Sequence, residues 1–333
     1  MITRRLLAAP DKFRGTATAR EIADVMAQSA AEAGWECDAS PVSDGGEGLL
    51  ECFGGGNMTT RVAGPLGEPV LAAWRRDDDV AVIEMAQASG RLLVGEHNDP
   101  LAAGTAGTGE LIRAAIEGGA REITVGVGGS ASTDGGLGAV DVLRDIAPFD
   151  GSRGYRVVVA ADVTTTFIDA AAVFGPQKGA TPEQVEELTH RIEQLAVRYR
   201  REFGLDVTAL PGSGAAGGLA GGLAALGASI ESGFDVVARA LDLARRVAAA
   251  DFVLTGEGAF DATSLAGKAT GGVLRLAGDA GVAAAVVAGQ ARTHAPPGVG
   301  VIDLTARFGK QAAWSGTLMC VRAAAAGLLA LHA

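Results

Sequence analysis

Residues 251–268, DFVLTGEGAFDATSLAGK, constrain the fold more than any other stretch of the chain. They open on the run Phe252, Val253, Leu254, Thr255, apolar, partly β-branched and too short for a helix, which predicts a buried parallel strand. Gly256 and Gly258 then predict a break into a polar turn that carries Glu257 and Asp261 and reaches Lys268. Val273, Leu274, Leu276 and Ala277 follow at helical spacing. Strand, polar glycine turn and helix make the repeating unit of an open α/β sheet, where ligands bind outside the carboxyl ends of the strands. A carboxylate between two glycines at such a strand end has little structural work to do, so Glu257 is the strongest single candidate for chemistry.

The same pattern opens the chain. A strand over residues 5–10 ends at Asp11, Lys12, Phe13, Arg14 and Gly15, and Thr18 with Glu21 has the spacing of a capping box for a helix that turns Ile22, Val25, Met26 and Ala30 to one face. A second strand, at about residues 36–42, runs into Ser43, Asp44, Gly45, Gly46 and Glu47. Two more strands, over 283–288 and 299–305, precede a closing helix from about 317 to 331. Five parallel strands with helices between them fit a flavodoxin-like sheet of order 2-1-3-4-5, whose switch point falls between the first and third strands, at Asp11 and Glu257.

Near residue 62 the texture changes. Strands over 58–63 and 68–74 flank the turn 64–67, and a third covers 80–85, so a second α/β domain begins as a hairpin-rich, α+β-leaning unit. The spacing predicts helices over 107–120 and 182–203, the latter capped by Thr181, and strands over 122–127 and 155–160. A helix over 234–246 leads back to the strand at 252. The expected organisation is a discontinuous flavodoxin-like domain, residues 1–62 plus 233–333, interrupted by an inserted domain over 63–232. A length of 333 residues with 48% hydrophobic side chains is enough for two cores.

The net charge of −11 and the lack of a long basic run argue against nucleic acid as a partner. Cys37, Cys52 and Cys320 form no CxxC pair and the four histidines show no ligand spacing, which argues against structural zinc and suits a reducing compartment. The first apolar run ends at Pro10 and Asp11, too short for a signal segment, and no stretch approaches the roughly 18 apolar residues of a membrane span. A cytoplasmic protein without a membrane partner is expected.

Several other segments carry candidate chemistry beside an ordinary structural use. Asp44-Gly45-Gly46 and Asp134-Gly135-Gly136 are by default turns in which glycine supplies positive φ, but both follow predicted strands, and one carries Glu47. Residues 212–217, GSGAAG, match a dinucleotide fingerprint literally; Leu210 and Pro211 make a poor strand end, so Gly212 and Gly214 suit backbone N–H donation to an anion, or close helix packing, better. Lys178 is either a solvated turn lysine or an anion ligand. Lys12, Arg14 and Lys268 follow strands or precede helices, where a phosphate would sit. No glycine run is followed by Lys-Ser or Lys-Thr at the Walker spacing, so a P-loop kinase is excluded.

Six segments, PDKFRGT at 10–16, PVSDGGEG at 41–48, VGVGGSASTDGG at 125–136, FGPQKGA at 174–180, PGSGAAGGL at 211–219 and LTGEGAFD with the following GK over 254–268, occur in an order and context that resembles the class I glycerate kinase family. The resemblance implies a flavodoxin-like domain interrupted by a second α/β domain, and transfer of the γ-phosphoryl group of ATP to D-glycerate with Mg2+, giving 2-phosphoglycerate. On that reading Asp44 is the expected base, with Asp134 its rival and Lys12 beside it. Asp11, Arg14, Glu47, Gly128, Gly129, Ser130, Lys178, Gly212, Gly214 and Lys268 are expected to bind glycerate or nucleotide, and Glu257 and Asp261 magnesium. The chain departs from the family at Thr164, Thr165 and Thr166, where Asn-Pro-Leu is usual, and at Thr263 and Ser264, where Gln-Thr is usual. Those departures raise an alternative, a catalytically silent relative that senses nucleotide or sugar acid; the intact acidic loops favour the enzyme.

Overall fold

A computed structural model describes residues 3–332. In chain order the strands are β1 (Arg5–Ala8), β2 (Glu36–Ala39), β3 (Met58–Ala63), β4 (Pro69–Asp77), β5 (Val80–Glu84), β6 (Glu122–Gly126), β7 (Arg156–Ala161), β8 (Ser229–Ser232), β9 (Phe252–Phe260), β10 (Ala283–Ala291) and β11 (Gly300–Asp303). The chain divides into two compact units, residues 1–44 with 234–333, and residues 45–233. The first break therefore falls at Asp44–Gly45 and not near residue 62. The helix Leu49–Cys52 belongs with the second unit because the N–H of Leu50 donates to the buried carboxylate of Glu84, at the end of β5, at 2.8 Å.

The first unit holds one sheet of order β11-β10-β9-β1-β2, every pair parallel. Read from β2, that is the flavodoxin-like 2-1-3-4-5 order. Alternation along the central strands feeds two cores. Leu6, Phe252, Leu254 and Val287 face Ile22, Met26, Val321 and Ala325 on one side, while Leu7, Val253 and Val286 face Phe234, Val273 and Ala277 on the other. The helix Ala19–Glu32 starts at the expected box, Thr18 accepting from the N–H of Glu21 at 3.2 Å and Glu21 from that of Thr18 at 2.8 Å.

One expectation fails at the centre of this sheet. Gly256 and Gly258 do not break the strand: β9 continues to Phe260 and stays in register with β10, Gly256 opposite Val287 and Glu257 opposite Ala288. The glycines serve close approach. A Cβ on Gly256 would lie 2.3 Å from the carbonyl oxygen of Val287, and one on Gly289 would lie 2.5 Å from that of Gly258. The helix expected over 234–246 is likewise two, Gly233–Ala240 and Leu243–Ala248, parted at Asp242, whose φ of 51° is left-handed.

The second unit carries a mixed sheet of order β3-β4-β5-β6-β7-β8, antiparallel for the first two pairs and parallel thereafter. Its longest helix, Pro182–Phe203, has Thr181 and Gln184 as a capping box, Pro182 in the first turn and Gly204 left-handed at its end. β8 and the helix Lys310–Ser315 have no counterpart in the sequence reading, and the strand expected over 299–305 ends at Asp303, where the helix Leu304–Phe308 begins, capped by Asp303. Among the described residues no helix is long and apolar enough to cross a membrane.

Candidate active site

Outside the carboxyl ends of β1, β9 and β10 the first unit encloses a cavity of about 570 Å³. Its size is that of small-molecule sites. Seven of the residues expected from the sequence line it: Asp11, Lys12, Arg14, Asp44, Glu257, Asp261 and Lys268. The switch point is built by one backbone link, since the N–H of Asp11 donates to the carbonyl of Gly256 at 2.8 Å and so sets the loop after β1 beside Glu257.

The two carboxyls at that point are both held above their ordinary range. Burial pushes Asp11 up to about 6, against the pull of Lys12, whose Nζ lies 3.6 Å from Asp11 Oδ1, and with a further push from Asp44. Burial raises Glu257 to about 7; the hydroxyls of Thr270 and Ser264 and the ammonium of Lys268 pull the other way, and Asp11 adds to the rise. Glu257 Oε1 is buried with no hydrogen-bond partner of acceptable geometry, and so is Thr270 Oγ1. An orphaned carboxylate oxygen in a cavity wall, beside a second carboxyl, is a site that a proton or a cation would satisfy.

Around these acids stand four cations, Arg14, Lys268, Arg292 and Lys310, and among the described residues none forms a salt bridge. Arg292 is oriented by a neutral partner, Gln290 Oε1, at 3.1 Å from Nε and 2.8 Å from Nη2, so its charge stays uncompensated. Lined this way, the cavity is suited to a multiply charged anion. Asp261 also lines it, but one of its oxygens caps the helix Ala262–Leu265, Oδ1 accepting from the N–H of Thr263 at 2.8 Å and its hydroxyl at 2.6 Å. Hydrogen bonds from Thr263 hold that carboxyl below its usual range. Asp261 is thus a capping residue at the rim, and Asp11 is the carboxylate that stands with Glu257. No three His, Cys, Asp or Glu side chains among the described residues form a closed cage for a metal; Mg2+ needs only one or two carboxylates when substrate oxygens complete its shell, and Asp11 with Glu257 fits that requirement. Gln290, Arg292, Thr305, Lys310 and Trp314 were not singled out by sequence. The one available signal was position, since Arg292 follows β10 as Arg14 follows β1.

The remaining expected residues, Glu47, Gly128, Gly129, Ser130, Asp134, Lys178, Gly212 and Gly214, lie in the second unit. Asp134 is fully committed there: Oδ2 accepts from Thr105 N at 3.0 Å, Thr105 Oγ1 at 2.8 Å and Gly138 N at 3.1 Å, and Oδ1 from Gly136 N at 3.1 Å. Burial raises its pKa although those donors oppose it. With both oxygens hydrogen-bonded it ties the loops of Thr105, Gly136 and Gly138 together. Lys178 is no solvated turn lysine. It is 3% exposed, donates to the carbonyl of Ser132, and is pushed down to about 7 by burial, with Asp134 the opposing influence. A Cβ on Gly214 would lie 2.3 Å from the carbonyl of Thr166, and one on Gly128 2.6 Å from Gly46 Cα, so both glycines serve close packing; Gly212 and Gly129 sit at φ +79° and +71°. Ser130 pairs with Gly90 across an isolated bridge, and Glu47 is exposed. Thr165 and Thr166, at the departure from the family, receive Gly214 through the 3.0 Å bond from its N–H to the Thr165 carbonyl.

Comparison with known proteins decides the family. The profile of the Glycerate kinase family matches residues 6–147 and 144–307. The chain belongs to the glycerate kinase family. It is 37% identical over 311 residues to the Glycerate 2-kinase of Escherichia coli strain K12, covering 82% of each chain. To the Glycerate kinase of Bacillus subtilis strain 168 it is 36% identical over 311 residues, covering 82% of this chain and 81% of that one. A crystal structure from Salmonella typhimurium LT2, of a protein assigned as glycerate kinase 2, superimposes with a TM-score of 0.81 at 33% identity, over 99% of both chains. As a member of this family the chain is a kinase, and the acidic and basic groups of the first-unit cavity are the features of this chain that phosphoryl transfer can use.

Proposed function

We propose that the chain transfers the γ-phosphoryl group of ATP to a hydroxyl of D-glycerate, with Mg2+, at the first-unit cavity. The observation that carries the reading is the pairing of two carboxyls of raised pKa, Asp11 and Glu257, with four cations that have no salt-bridge partner among the described residues. Phosphoryl transfer asks a protein for positive charge around the transferred group, a seat for the metal and a base for the attacking hydroxyl. Arg14 and Lys12 suit the glycerate carboxylate, and Lys268, Arg292 and Lys310 suit the phosphate oxygens. Asp11 and Glu257 would hold the Mg2+, which when bound screens the charge of the phosphates. Asp44, half-buried on the cavity wall, takes the proton as the hydroxyl oxygen bonds to the γ-phosphorus; the bond from phosphorus to the β-γ bridging oxygen breaks, and ADP leaves with that electron pair. The likeness to the Escherichia coli protein named Glycerate 2-kinase favours 2-phosphoglycerate as the product.

A coupled assay of ADP release tests the reading. Magnesium-dependent turnover is expected with D-glycerate and little with glycerol, which lacks the carboxylate that Arg14 and Lys12 would grip. Equal rates with the two would refute it, and phosphorus NMR of the product fixes which hydroxyl is modified.

A further inference from the structure

Trp314 is 64% exposed, while the other tryptophans, Trp35 and Trp74, are 7% and 2% exposed and belong to the cores. It lines the first-unit cavity from the helix Lys310–Ser315, one turn after Lys310 and so on the same side of that helix. The loop after β1 meets its edge: Gly15, at φ +82°, lies so close that a Cβ there would stand 3.4 Å from Trp314 Cη2. Among the described residues no second ring and no cation stacks on the indole. An indole left wet and unstacked forfeits the hydrophobic gain that a tryptophan ordinarily gives on burial. Its surroundings are a cation-lined cavity that continues to an aromatic face.

We propose that the first-unit cavity is the nucleoside triphosphate site of this chain, and that Trp314 is the platform on which the purine base stacks, with Lys310, Lys268 and Arg292 along the phosphates. This rests on the reading of the chain as an ATP-dependent kinase. It goes beyond that reading by naming the residue that recognises the base. Stacking is tolerant of base identity, because every base has a π face, but larger rings gain more. Trp314 therefore sets a preference for purine over pyrimidine triphosphates, while the cations supply affinity common to all of them.

Two measurements on the full chain test this, one independent of turnover. In steady-state assays Trp314→Ala is expected to raise KM for ATP by roughly 5- to 150-fold, the range for loss of one stacked base. KM for D-glycerate should change less than about twofold, and Trp314→Phe should recover most of the ATP affinity, since the ring and not the indole N–H is what matters. In fluorescence titrations Mg-ATP should quench the wild-type emission, inorganic tripolyphosphate should bind with little quenching, and Trp314→Phe should lose the quench. A KM effect on glycerate in place of ATP would overturn the proposal. So would an unchanged KM for ATP, or a change of sedimentation coefficient in Trp314→Ala with both KM values intact, which would make the indole a protein contact. If glycerate proves not to be phosphorylated, the fluorescence titration still reads the nucleotide site directly, so the two readings fail separately.

Discussion

Asp11 donates its backbone N–H to the carbonyl of Gly256 at 2.8 Å, and this one bond across β1 and β9 sets two carboxyls, Asp11 and Glu257, at the switch point of the first sheet. Burial, the larger effect, lifts them to about 6 and about 7, with Asp44 adding to the rise of Asp11 and Asp11 to that of Glu257. Because both folded values lie above the ordinary carboxyl range, the stability they contribute is complete below about pH 4 and is lost as pH rises through 6 to 7. The metal-free chain should therefore melt at a lower temperature at pH 8 than at pH 5, and Glu257→Gln should reduce that drop, so that it exceeds wild type at pH 8 while the gap closes at pH 5. Cation binding must displace the same protons, so the apparent affinity for Mg2+ should strengthen across pH 6 to 7 in wild type and depend less on pH in Glu257→Gln. Thermal scans and Mg2+ titrations at pH 5 to 8 check both, and parallel curves for the two proteins would remove Glu257 from the metal seat.

The division of labour between Asp44 and Glu257 predicts two different failures. A base contributes about 10²- to 10⁴-fold in rate, so Asp44→Asn should lower kcat by about two orders of magnitude or more with nucleotide affinity nearly intact. Glu257→Gln should instead raise the Mg2+ requirement and regain part of its activity at high Mg2+, because one ligand is lost and the base remains. Measuring kcat against Mg2+ concentration separates them. Rescue of Asp44→Asn and not of Glu257→Gln would exchange the roles, a real contest because a carboxyl near 7 is itself well tuned for proton transfer.

What the sequence made legible was local or periodic. Thr18 with Glu21, and Thr181 with Gly204, mark helix ends through groups within a few residues of each other, and the five-strand order follows from strand count and handed connections. Seven cavity residues were legible because they follow strands or precede helices. The rest depends on contacts distant in sequence. Glycine in a strand reads as a turn until the neighbouring backbone is seen, which is why Gly256 and Gly258 misled. Asp134 reads as a candidate base until Thr105, 29 residues earlier, is found on its carboxylate. Lys178 reads equally as a solvated turn lysine or an anion ligand until its burial and its bond to the Ser132 carbonyl are known. Trp314 and Lys310 carry no motif, and only the fold brings them to the same wall as Arg14 and Glu257.

The glycines of β9 give the last prediction, which separates close approach from turn. Gly256 has no positive φ, and its missing side chain leaves room for the carbonyl of Val287, 2.3 Å from where a Cβ would be. Gly256→Ala must push β10 away or bend β9, so it should cost about 1–3 kcal/mol, the usual range for overpacking a tight site. The same shift moves Glu257, which is next in the strand, so activity should fall more than stability does. Gly278 is the control. It lies in the helix Ala269–Ala280 with nothing within 4 Å of a Cβ and ordinary helical backbone, so Gly278→Ala should stabilise by about 0.5–1 kcal/mol through a less flexible unfolded chain. Urea unfolding of both variants decides the matter. If Gly256→Ala is as benign as Gly278→Ala, β9 and β10 are not in tight contact at Val287, and the glycines flanking Glu257 serve flexibility at the site in place of packing.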